Sequence, residues 1–156
     1  MRFKTVCLLA LATSLAISIN SCEKEGGKCG EKNISATNSN RSHNMGQNCM
    51  NCHKDGGSGE GCFTIAGTTY NSSGSSIYSN AIVKLYTQPN GLGSVVATLQ
   101  GDSKGNFHTT ESVDFGSGLY PVVINTLGQS VYMSSAVTQG ACNSCHGATQ
   151  PRISTF

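Results

Sequence analysis

Residues 81–100 read "AIVKLYTQPNGLGSVVATLQ", two short apolar runs around a turn. In the first run Ala81, Val83 and Leu85 fall on one face of an extended chain, and Ile82, Lys84 and Tyr86 on the other. A period of two is the mark of a half-buried strand. "QPNGLG" between the runs combines Pro, Asn and Gly, residues that set the φ values a reversal needs. "SVVATLQ" then reads as the returning strand.

The same grammar extends in both directions. Upstream, "FTIAGTTY" (63–70) places Phe63, Ile65 and Gly67 against polar neighbours, and "NSSGSS" reads as a turn. Downstream, "GDSKG" turns into "NFHTT", "FGSG" into "LYPVVIN", and "LGQ" into "SVYMS". Pro121 within "LYPVVIN" calls for an edge strand or a strand start, because proline has no N–H for the ladder. No helical period persists between residues 63 and 133. Nineteen glycines, no tryptophan and 12% charged residues agree with short strands and turns. The expected class is mainly β, a small antiparallel β-sandwich over 63–135 flanked by segments of loop and short helix.

Gly67, Ala81-Ile82-Val83, "DSKGNF" (102–107) and "GLYPVV" (118–123), in that order, resemble the carboxypeptidase regulatory-like (transthyretin-like) β-sandwich. The resemblance covers about half the chain and implies a scaffold rather than an activity.

The flanks carry the chemistry. "CMNCH" (Cys49–His53) lies before the strand region and "CNSCH" (Cys142–His146) after it. A zinc knuckle needs two Cys pairs roughly 15–20 residues apart, and here 89 residues separate Cys52 from Cys142. A thioredoxin-type dithiol needs a βαβ setting and gives the histidine no role. Covalent haem c attachment uses every position: two sulfurs form thioethers to one porphyrin edge, and the next histidine ligates the iron. Two haems c are therefore expected, on Cys49, Cys52 and His53 in segment 43–62 and on Cys142, Cys145 and His146 in segment 136–156. His43, His108 and Met133 are the candidate distal ligands, with Met45 and Met50 behind them. Gly140, "CNSCHG" and Arg152-Ile153 further resemble small exported multihaem cytochromes, which implies an electron carrier in extracytoplasmic respiration.

The first residues give the compartment. Arg2 and Lys4 precede "TVCLLALATSLAISI", an apolar run of about 15 residues, too short for a span of roughly 20. Ser21 stands directly before Cys22, as in a bacterial lipobox. Residues 1–21 are thus read as a lipoprotein signal peptide, Cys22 as the lipidated residue, and 22–42 as a flexible tether. The expected location is outside the cytoplasm, on an outer-membrane lipid anchor. Loss of 1–21 leaves eight Lys and Arg against eight Asp and Glu, so no basic stripe marks a nucleic-acid binder. The leftover Cys29 and Cys62 are candidates for a disulfide in an oxidising compartment.

Three functions remain distinct at this level. One is electron transfer to redox protein partners or extracellular acceptors. The second is a peroxidase-type enzyme with an open iron, with Glu60 and Glu111 as the available acid-base groups. The third is a surface subunit that self-assembles so that haems approach between copies. The sequence favours the carrier over the enzyme.

Overall fold

The computed structural model describes residues 29–156. Residues 1–21, expected as a signal peptide, and Cys22, expected as the lipidated residue, lie outside the described residues. The chain is mainly β, with eight strands: β1 (Ile65–Tyr70), β2 (Ile82–Gln88), β3 (Leu92–Gln100), β4 (Asn106–Thr109), β5 (Tyr120–Ile124), β6 (Ser130–Tyr132), β7 (Gly140–Ala141) and β8 (Ile153–Ser154). Two sheets face one another. One runs β3-β2-β5-β6 and is antiparallel throughout; the other is built on β1, with β4 on one edge and β7 and β8 on the other. Among the described residues no helix is long and apolar enough to cross a membrane.

The alternation in 81–86 is realised in space. Ala81, Val83 and Leu85 are buried with Leu99, Phe107, Leu119, Val123 and Ile65 in one core between the sheets. The "DSKGNF" turn is fixed by Asp102, whose Oδ1 accepts from the N–H groups of Lys104 and Asn106 at 2.9 and 3.0 Å. Gly105 closes it with φ +74, and a Cβ there would press on the carbonyl oxygens of Thr69 and Tyr78. Pro121 is near the start of β5, whose two neighbours β2 and β6 make it an inner strand. Strand start, not edge, is the reason the proline is tolerated.

Two features depart from the expected layout. Residues 29–42, read as part of a tether, are held against the body. Ser35 N–H donates to His108 O at 3.0 Å, Thr110 N–H donates to Asn33 O, and Ser103 N–H donates to Ser39 O. Segment 33–35 thereby satisfies the outer edge of β4, which would otherwise be an open row of donors and acceptors. Cys29 is bonded to Cys62, with Cα atoms 4.5 Å apart. That crosslink is compatible with an exported protein.

The second departure concerns the C-terminal segment, which completes the sheet as well as carrying a motif. β7 pairs parallel with Ile65 and Ala66, and β8 pairs parallel with Thr69 and Tyr70, on the same edge of β1. Residues 142–152 leave this edge between the two fragments and come back to it. The missing rung is supplied by a side chain: Thr68 N–H donates to Asn143 Oδ1 at 3.2 Å. Arg152 and Ile153 anchor the return. The Arg152 guanidinium lies 4.6 Å over the Tyr70 ring and donates to Gly74 O, while Ile153 packs on the core.

Candidate functional site

Both CxxCH stretches form the same backbone object. Cys49–Asn51 and Cys142–Ser144 are single 3-10 turns. In the first, Cys52 N–H and His53 N–H both donate to Cys49 O, at 3.1 and 2.9 Å; in the second, Cys145 N–H and His146 N–H both donate to Cys142 O, at 3.3 and 3.0 Å. A turn closed this tightly presents two thiols and an imidazole from five consecutive residues. All four thiols are free, in contrast to the bonded Cys29–Cys62 pair.

The histidines match as well. His53 Nδ1 lies 2.9 Å from Glu60 O, and His146 Nδ1 lies 2.6 Å from Pro151 O. A carbonyl only accepts, so Nδ1 carries the proton and Nε2 keeps its lone pair in both rings. A ligating histidine is usually oriented by this same arrangement, its non-ligating nitrogen donating to a backbone carbonyl. In each case the carbonyl comes from the loop just after the motif, seven residues on for His53 and five for His146.

The surroundings of His53 are the more elaborate. Its ring stacks on Phe63 at 4.0 Å and 8°, and Phe63 stacks in turn on His108 at 4.5 Å and 21°. A Cβ on Gly59 would fall within 2.8 Å of three ring atoms of His53. The glycine run after the motif therefore lets the loop close against the imidazole. Glu60 O accepts a second bond from Asn33 Nδ2 at 3.1 Å, and Asn33 Oδ1 accepts from His108 Nε2 at 3.0 Å. His108, a candidate distal ligand in sequence, is thus placed behind His53 with its Nε2 already engaged. His43 is on the other side of the count: its ring centroid is 6.0 Å from that of His53, with the planes 35° apart. Two metal–nitrogen bonds of about 2 Å with a ring radius at each end span about 6 Å.

Burial holds His108 neutral. It draws the imidazole from 6.5 down to about 4, Asp102 opposing the effect and the nearby His53 and His43 adding to it. In the unfolded chain His108 binds its proton near the ordinary imidazole value of 6.5, so between about 6.5 and about 4 the unfolded state holds more protons. Stability contributed by His108 is therefore full above pH 6.5 and lost as pH falls towards 4, by at most about 3 kcal/mol. His108→Gln should flatten the pH dependence of the unfolding free energy in that window. An unchanged slope would show that His108 is not the group responsible.

The two motifs meet across β1. Asn143, the second residue of "CNSCH", is buried and donates through Nδ2 to Gln47 O and Thr68 Oγ1, each at 3.0 Å. Gln47 sits two residues before Cys49. Thr68 Oγ1 also accepts from Gly46 N–H at 2.9 Å and donates to Asn106 Oδ1 at 2.6 Å. Asn106 Nδ2 donates onward to Ser42 Oγ and His43 O, both at 3.0 Å. A chain of buried amides and hydroxyls, Asn106–Thr68–Asn143, thereby ties both turns and the His43 backbone to one strand. Gly67 allows the approach, since a Cβ there would meet Phe107 and the Cys142 Cβ. Burial pushes the Cys142 thiol up to about 12, and the neighbouring Cys49 and Cys145 add to the shift. Burial also raises Cys49. Both stay protonated thiols at neutral pH.

Among the described residues no group of three or more His, Cys, Asp and Glu side chains converges as a metal site. A haem iron needs no such cluster, since the porphyrin supplies four ligands and the protein one or two. The donor set of each turn, two thiols and one Nε2-free imidazole, fits a covalent haem. Glu111 pairs with Lys32 at the surface, 3.2 Å away, and Glu60 contributes its carbonyl. Met133 lines the cleft that also exposes His146. Compared with protein-family models, curated proteins and solved structures, the chain has no match.

Sequence patterning located both motifs and strands β1 to β6, and singled out His43, which the fold sets beside His53. It missed Asn33, Gly59, Phe63, Thr68, Asn106 and Asn143. Of these, only the glycine run around Gly59 left a local signal.

Proposed function

We propose that this chain is a dihaem c-type cytochrome, exported and held at the outer membrane by lipid on Cys22, that carries single electrons between redox partners outside the cytoplasm. The observation that carries the reading is the matched state of His53 and His146, each fixed through Nδ1 by a carbonyl of its own loop with Nε2 left to bind a metal. A haem at each turn would supply one-electron chemistry at its iron. The chain supplies the rest. Cys49 with Cys52, and Cys142 with Cys145, would tether the two groups, and His53 and His146 would hold the irons. His43 would hold the same iron as His53, a role supported by the 6.0 Å separation of the two rings. His108, Phe63 and Asn33 hold the His53 ring in orientation. The β1 frame keeps the two turns in fixed relation, as a relay requires. A peroxidase-type reading is less well supported, because Glu111 is engaged with Lys32 and neither Glu60 nor Glu111 has a side-chain bond to a motif histidine.

The test is covalent haem stoichiometry of the protein exported by a host with haem-attachment machinery, with magnetic circular dichroism of the ferric state. Two haems per chain, one of them bis-histidine, are expected. Fewer than two covalent haems would overturn the proposal.

A further inference from the structure

The two turns differ in what lies beside them. The first is at the protein surface, next to the exposed His43. The second opens on a cleft of about 710 Å³ between the two sheets. Its floor is core: Ile65, Leu85, Phe107 and Val123 all reach it. Its wall carries Cys142, Cys145 and His146 on one segment and Met133 on the strand-end that follows β6. Ligand sites of about 300–1,000 Å³ with apolar linings are the common kind for flat, largely apolar molecules. The distribution of histidines adds the second observation. Four are present in the chain; His53 and His146 serve as proximal ligands, His43 lies against His53, and His108 is bound to Asn33 behind the same ring. None is left for the second iron.

We infer that Met133 is the distal ligand of the second haem, so that the pair is asymmetric, with a bis-histidine iron at the surface turn and a histidine–methionine iron in the apolar cleft. This rests on the dihaem reading above. Met45 is the competitor, since it shares a recess with His146. That recess is about 170 Å³, too small to receive a macrocycle. A thioether ligand raises the reduction potential relative to a second imidazole. A haem held by His146 and Met133 would therefore have the higher midpoint of the two, and Met133 is the residue that would set the direction of one-electron flow within the pair.

The experiment is near-infrared magnetic circular dichroism and carbon monoxide binding on the full-length, haem-loaded protein, with Met133→Ala, Met133→His and Met45→Ala. The wild-type ferric protein should show a methionine–iron charge-transfer band for one of its two irons, and should bind no carbon monoxide when reduced. Met133→Ala should lose the band, keep two covalent haems and bind one carbon monoxide per chain. Met45→Ala should match wild type. If Met133→Ala does not accumulate, Met133→His decides: the band should give way to a second bis-histidine signal, with the higher midpoint falling towards the lower. Two haems with no methionine band in wild type, or a band that survives at residue 133 variants, overturns the ligand assignment alone. Fewer than two covalent haems overturns the reading beneath it.

Discussion

Alanine at both Cys142 and Cys145 should leave one covalent haem per chain, a loss of half the haem measured by mass and by absorbance after denaturation. The Cys49→Ala, Cys52→Ala pair should leave the other half, and the fourfold variant none. Independence is expected because each turn is closed by its own carbonyl, Cys49 O or Cys142 O, through backbone bonds that alanine retains. The structural cost is small as well. Cys→Ala removes one sulfur atom; Cys52 and Cys145 are exposed, so the cost comes from Cys49 or Cys142 and is about 1 kcal/mol. Loss of both haems from either double variant would mean that one turn cannot load without the other. Retention of two would exclude thioether attachment at the altered turn.

Asn143→Leu should destabilise the fold by about 2–4 kcal/mol, read by denaturant unfolding. Leucine keeps the branch and approximate volume but removes both hydrogen-bonding ends. Thr68 N–H would then lose its buried partner Asn143 Oδ1 and Gln47 O its part-buried one; a buried group left unpaired costs about 1–3 kcal/mol, and the lost bonds of Asn143 Nδ2 add about 1 more. The same variant should alter how the two haems sense each other, because Asn143 is the direct link between the turns. A split Soret circular-dichroism signal from two neighbouring chromophores is expected in wild type, and should weaken in the variant at unchanged haem content. A stability loss under about 1 kcal/mol, or an unaltered split signal, would remove Asn143 from this role.

How much of this was legible beforehand depends on how local the physics is. The period-two pattern of Ala81, Val83 and Leu85 required only that one face of a strand be dry, and those residues are buried. The CxxCH spacing is local too: five residues close their own turn, so the motif reads the same in any fold. Pro121 could be placed only as edge or strand start, since the sequence states a missing donor but not which neighbour lacks it. Residues 33–42 have no apolar period because their contacts with β4 are polar and backbone-mediated, which made them look like tether. The short parallel rungs of β7 and β8 are two residues each, too few for any pattern to register.

The sequence by itself determined the longer strands and the two CxxCH turns, because alternation and motif spacing are written within a few residues. It also determined the supply of histidines. Only the tertiary structure decided how that supply is divided, with His43 and His108 both on the His53 side and Met133 lining the cleft that His146 also lines. It alone decided that turns separated by most of the chain are braced on one strand by Asn143. The physical reason is that a buried amide or a stacked ring is chosen by its partners in space, and those partners lie 75 residues away for Asn143 and Thr68 and 75 for His108 and Asn33.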